Sequence, residues 1–287
     1  MSFIVMTDTN SDIIYPYVEK HDIKIIYMPY FIDGQELFSD LGRSSRTQEF
    51  YAHMRSGITP TTALLTKDQY IDYFEPYLKA RQDILFVSFS ENLSNSIEQA
   101  KMAIAELSET YPDNRVVLCD SHTISFTEAM MAIKAAQLRD EGKTIDETAK
   151  WIEDNRMCYQ SWFAVDDLVY LKRGGRLSSS AAMFGTMLDI KPILNITPDG
   201  RIVSTMKVKG RKKALRTLLD KFEEWSLDKS CAAILDADCR SDADFLESEL
   251  KNAYPDIQIH RIPVGPVICT HCGPGTIALV FPSKPRA

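Results

Sequence analysis

Long apolar runs are missing from this chain. No stretch approaches the roughly 18 consecutive apolar residues of a membrane span. The start, Met1 to Asp12, lacks a basic n-region and a long h-region, so no secretory leader is expected and the reading is cytoplasmic. Positive charge is in deficit: the net charge is −7 over 287 residues, which argues against wholesale nucleic-acid binding and leaves anion recognition to local features. Glycine-rich signatures are absent as well. There is neither a G-x-G-x-x-G nor a Walker A sequence, and no G-x-S-x-G elbow surrounds a serine.

A cysteine framework is also lacking. Cys119, Cys158, Cys231, Cys239, Cys269 and Cys272 are scattered through a chain large enough to build a core, which predicts reduced thiols. Cys269 and Cys272 form a C-x-x-C, but no second ligand pair follows for a metal. Pro274 and Gly275 block the helix that redox use would need after the first cysteine, so no metal is expected.

What is present is length for two domains and a strand–helix rhythm. Strands are predicted at Phe3–Thr7, Lys24–Ile32, Ile84–Ser88 and Val116–Cys119. Helices are predicted at Ser11–Lys20, Thr47–Ser56, Lys67–Lys79, Ser94–Thr110, Phe126–Arg139 and Ile145–Asn155. This alternation implies an α/β domain with a parallel sheet, placed at residues 1–158. Beyond about Arg156 the texture changes. Strands at Ser161–Val165, Ile190–Ile196, Ile202–Val208, Ala232–Asp236, Ile257–Ile262 and Ile277–Phe281 mix with helices at Arg211–Trp225 and Asp242–Ala253. That half, residues 159–287, reads as α+β, with a ligand cleft expected between the two domains.

Four polar segments are candidates for the cleft. Thr59 to Thr62 precedes a helix, and Ser88 to Ser96 and Asp120 to Ser125 each join a strand to a helix, where hydroxyls suit an anion. Each taken alone is more readily read as helix capping by Ser, Thr or Asn. The fourth, Gly265 to Gly275, reads as a Gly/Pro-framed loop holding His271 in its middle. Apart from these, Lys207, Lys209, Arg211, Lys212, Lys213 and Arg216 form a basic stretch without an intervening acid. It is either a solvated helix face or a docking patch for an acidic partner.

Together these motifs resemble the DegV family of bacterial fatty-acid-binding proteins. The resemblance spans nearly the whole chain: Thr7 to Asp12, Asp33-Gly34, Thr59 to Thr62, Leu93-Ser94, Asp120-Ser121, Val165 to Leu177, Lys191 to Leu194, Lys207 to Leu215 and Gly265 to Gly275. It implies a long-chain fatty acid in an apolar tunnel, its carboxylate held by Thr62, Ser94 and His271, with Asn95, Ser121 and Thr270 as further pocket residues. It implies no catalytic residue, cofactor or metal in this chain. A separate fatty acid kinase would make the acyl phosphate, docking at Arg173, Lys209 and Arg211, and peripheral membrane contact would accompany ligand exchange. The chain departs from the family pattern at Ala63-Leu64-Leu65, Asn95, Cys269 and Lys209. Asn95 stands where Gly is usual and tolerates positive φ better than most residues; Lys209 keeps a charge but loses the bidentate fork. Two readings compete. One is a serine-dependent hydrolase of an acyl or ester substrate, needing Ser94 or Ser121 beside His271 and an acid such as Asp120. The other is an interaction protein without a ligand.

Overall fold

The computed structural model describes residues 3–177 and 189–286. Met1, Ser2 and Ala287, at the outer ends of the two expected domains, lie outside them. The first half runs β1 (Ile4–Asp8), a 3-10 turn at Thr9–Ser11, α1 (Tyr15–His21), β2 (Ile23–Ile26), β3 (Pro29–Ile32), β4 (Gln35–Phe38), α2 (Arg46–Arg55) and β5 (Thr61–Thr62). It continues through α3 (Lys67–Lys79), β6 (Ile84–Ser88), α4 (Ser96–Thr110), β7 (Val116–Asp120), α5 (Phe126–Asp140) and α6 (Ile145–Asn155). A parallel sheet in the order β2-β1-β6-β7 lies at its centre. Strands β1 and β6 are buried at every position, as expected where both faces of a parallel sheet are covered. The strand order reverses between β1 and β6. The crevice beyond their carboxyl ends is therefore where such a sheet receives a ligand, and the loops after these two strands hold Asn10 and Ser94.

Several expectations are corrected here. Lys24–Ile32 is two strands in two sheets. After Ile26 the chain leaves the parallel sheet, and its amides find side chains instead: Tyr27 N–H donates to Tyr73 Oη (3.0 Å) and Met28 N–H to Thr9 Oγ1 (2.9 Å). Pro29 has no amide to satisfy. Beyond it, β3 joins β4 and β5 in a small antiparallel sheet, a grouping that sequence reading missed, with Tyr30 opposite Thr62. Asp33 and Gly34 close the β3–β4 hairpin with φ of 49° and 80°, the conformation a two-residue turn of this twist requires. The helix expected from Ser11 begins instead at Tyr15, because Asp12 takes a left-handed backbone (φ 51°) after the 3-10 turn.

The second half comprises β8 (Tyr159–Ala164), α7 (Val169–Arg173), β9 (Ile190–Ile196), β10 (Ile202–Lys209), α8 (Arg211–Trp225), β11 (Cys231–Asp236), α9 (Arg240–Ala253), β12 (Gln258–Pro263), α10 (Pro266–Cys272) and β13 (Ile277–Pro282). Its sheet has the order β10-β9-β8-β13-β11-β12 and is antiparallel except for the β11–β12 pair. One face packs on α8 and α9 through Trp162, Ile193, Leu218, Phe222, Ile234 and Leu246. The other face contributes Phe163, Leu194, Leu235, Ala278 and Val280 to a core continuous with that of the first half. The fold is thus two domains, one on each sheet, with a ligand-sized cleft between the sheets.

The Gly265–Gly275 segment is a helix, not the loop predicted. Pro266 sits at the first helical position, where its missing N–H is no loss and its fixed φ suits a helix. Gly273 (φ 82°) then ends the helix, and Pro274 and Gly275 lead into β13. The same Gly and Pro residues that read as loop punctuation are the start and stop of α10.

Candidate functional site

Between the two sheets lies a cavity of about 410 Å³, within the range of small-molecule pockets. Its wall is largely apolar: Met28, Phe89, Ile124, Phe163, Leu235 and Val267 contribute from both halves. Thr62, Ser94, Asn95 and His271 also line it, each delivered by a different device. The β5 pairing with β3 presents Thr62, the loop after β6 presents Ser94, and the last turn of α10 presents His271.

Two of these polar groups are in direct contact. His271 Nε2 and Thr62 Oγ1 are 2.9 Å apart. The other ring nitrogen, Nδ1, lies against Gly174, so closely that any Cβ there would overlap it. Two residues on, the Arg176 guanidinium donates to the Gly174 carbonyl, and its Nε donates to Leu93 O at 3.2 Å, beside Ser94. Arg176 lines the cavity and was missed as a site residue, although it lies within the conspicuous Val165 to Leu177 motif. Burial pushes its pKa down. Burial, with the Arg176 charge adding to it, lowers the His271 pKa to about 4, so the imidazole is neutral near pH 7. The result is a cluster of hydroxyl and imidazole hydrogen-bonding groups beside the half-buried Arg176 cation.

The remaining candidates fall in different places. Ser94 Oγ accepts from Ser96 N–H (3.2 Å) and lies 3.1 Å from Ser96 Oγ, so it supports the start of α4 while facing the cavity. Asn95 is exposed with φ −77°, so this turn needs no positive φ. Ser121 is fully buried, accepts from Thr123 N–H (3.3 Å) and does not line the cavity. Thr270 is also off the lining, its hydroxyl donating to Pro266 O (2.8 Å) within α10. Arg173 is exposed, 3.2 Å from Thr59 Oγ1, and Lys209 is exposed at the end of β10. Arg211 turns inward: its guanidinium bonds Asp242 (2.9 Å) and Gly275 O (2.7 Å) and pairs with Asp166 (3.4 Å). It braces the second half internally and presents little to a partner.

Beneath the cavity, β1, the 3-10 turn and α5 bury three carboxyl groups. Asp8 accepts from Asn10 N–H (2.7 Å) and Glu128 from Thr7 Oγ1 (2.9 Å). Asp12 accepts from Ser125 Oγ–H and from Gly265 N–H (2.9 Å), tying the start of α10 to the first half. Burial raises Asp8 to about 7 and Asp12 to about 8, and raises Glu128 well above the carboxylate range. Sequence reading noted the Thr7 to Asp12 motif without its role.

A hydrolase triad is not assembled. Among the described residues, no serine hydroxyl bonds His271. Asp120 instead accepts from His122 N–H (2.8 Å) and Glu91 N–H (3.3 Å). The six cysteines are free thiols. Burial pushes the Cys269 thiol up, which leaves it a small apolar group 3.8 Å from Met54 Sδ. Among the described residues no cluster of metal-ligating side chains occurs, and no helix is long and apolar enough to cross a membrane.

Comparison with known proteins gives a consistent class. Residues 2–284 match the model of the DegV family, described as an uncharacterised protein family. A DegV domain-containing protein of Clostridium perfringens is 34% identical over 281 residues, 97% of each chain. Another from Lactococcus lactis is 31% identical over 291 residues, 99% of each chain. Among solved structures, DegV of Bacillus subtilis, a fatty acid binding protein, superposes with a TM-score of 0.85 at 26% identity, covering 99% of this chain and 100% of that one. A DegV lipid binding protein of Thermotoga maritima gives a TM-score of 0.85 at 25% identity over 100% of both chains. This chain belongs to the DegV family.

Proposed function

We propose that this protein is a carrier that binds one long-chain fatty acid, with the acyl chain in the cavity and the carboxylate held by Thr62, Ser94 and His271. The observation that carries this reading is a mostly apolar cavity in which a Thr62–His271 hydrogen bond, Ser94 and a half-buried Arg176 stand close together. The fatty-acid-binding DegV of Bacillus subtilis supports it. Burial at about 0.8 kcal/mol per methylene yields on the order of 10 kcal/mol for a long chain. Hydrogen bonds to a carboxylate add roughly 1.5–3 kcal/mol each, and association costs offset much of the sum. The tail therefore dominates affinity, and the polar cluster sets orientation and depth.

In this reading the chain supplies no chemistry of its own. A separate fatty acid kinase receives the presented carboxylate, and exposed Arg173 and Lys209 are its contacts. The exchange takes place in the cytoplasm with transient contact at a membrane surface. We place the division between the two domains at residues 158 and 159, between α6 and β8.

Denaturing extraction of the purified protein followed by mass measurement should release about one fatty acid per chain. Ser94→Ala with His271→Ala should lower acyl-phosphate formation by a supplied kinase far more than it lowers retained lipid. Absence of lipid, or undiminished transfer by the double variant, would contradict the assignment.

A further inference from the structure

The wall that the six-stranded sheet gives to the cavity carries a hydroxyl with nothing to bind. Side chains alternate along β8. Trp162 and Ala164 face the core under α8, whereas Ser161 and Phe163 face the cavity. Ser161 is 4% exposed and lies opposite Val280, next to the Phe163–Ala278 pair. The other buried hydroxyls of the lining have partners. Thr276 Oγ1 donates to Cys272 O (2.9 Å), Ser125 to Asp12, and Ser96 meets Ser94. Among the described residues Ser161 alone of these has no side-chain partner. A buried hydroxyl without a partner is unfavourable, and folded proteins complete such groups with a ligand or a held water.

We propose that Ser161 is a specificity determinant for a fatty acid bearing a hydroxyl group along its chain. This deepens the fatty-acid reading and rests on it. Its own evidence is a different wall of the cavity from the one carrying Thr62, Ser94 and His271. A serine hydroxyl both donates and accepts, so it matches an in-chain hydroxyl in either sense. A plain methylene at that point leaves it unsatisfied, and a site with a buried polar group discriminates against a ligand that cannot pair it.

The test is competition between octadecanoic acid and a series of hydroxyoctadecanoic acids, with the hydroxyl moved carbon by carbon, for delipidated protein. At least one isomer should bind about tenfold tighter than octadecanoic acid to the wild type. In Ser161→Ala that preference should fall within about twofold, because octadecanoic acid gains and the hydroxy acid loses affinity, with an unchanged thermal melt of the ligand-free variant as the check on folding. If octadecanoic acid binds but no isomer exceeds it, or if Ser161→Ala keeps the preference, the inference is overturned and a held water completes Ser161. Failure of octadecanoic acid itself to bind overturns the fatty-acid reading, and this inference with it.

Discussion

His271 bonds Thr62 at Nε2, and its Nδ1 edge faces Gly174 so closely that a Cβ there would overlap it. Gly174 has ordinary helical angles, φ −72° and ψ −11°, so alanine there carries no backbone penalty and acts only by pushing on the imidazole. Gly174→Ala should therefore weaken fatty-acid binding about tenfold, roughly the loss of one charge-assisted hydrogen bond, with little change in melting temperature. Calorimetric titration beside a thermal melt checks this; unchanged affinity would mean that Gly174 does not position His271. Arg176 lies in the Val165 to Leu177 motif, from which only the exposed Arg173 was named as a candidate. Which arginine faces the cavity depends on where α7 ends and how the chain turns at Gly174 and Gly175, and spacing alone does not give that.

Helix α10 is an element that sequence reading took for a loop. Its seven residues are too few to show an amphipathic period, and its Pro and Gly boundaries look like those of a loop. What anchors it is distant in sequence: Asp12 accepts the Gly265 amide. Burial raises Asp12 from 3.8 to about 8, so its contribution to stability is fully present below about pH 4 and is lost as pH rises through about 8. Asp8, raised to about 7, acts in the same direction. His271, lowered to about 4, acts oppositely: its contribution is present above its ordinary value of 6.5 and is lost as pH falls through about 4. The carboxyl groups outnumber it, so the ligand-free protein should lose several degrees of melting temperature between roughly pH 5 and pH 9. Asp12→Asn keeps an acceptor for Gly265 but cannot ionise, so its decline should be shallower. Equal slopes for wild type and variant would mean that Asp12 does not titrate in this range.

At the scale of the whole molecule, the two sheets and their long helices were legible because their strands are buried runs and their helices have clear periods. The extents of α3, β6, α6, β9 and α8 agree with expectation to the residue. The small β4-β3-β5 sheet was not legible, since β5 has two residues and exists only through its pairing with β3. Thr62, Ser94 and His271 were named through family resemblance; that they line one cavity is a property of the packing. Because that cavity lies between the sheets, a ligand bridges both halves and binds only the folded chain. Delipidated protein should gain roughly 5 °C in melting temperature with octadecanoic acid at about a hundred times its dissociation constant. No shift would mean that the cavity is not the acyl site. The most direct test of the central claim is a carbon-13 NMR spectrum of octadecanoic acid labelled at its carboxyl carbon and bound to this protein. The account predicts one resonance distinct from free acid, shifted by Ser94→Ala and by His271→Ala while the acid stays bound. A carboxyl resonance at the free-acid position, or one that neither substitution moves, would contradict it.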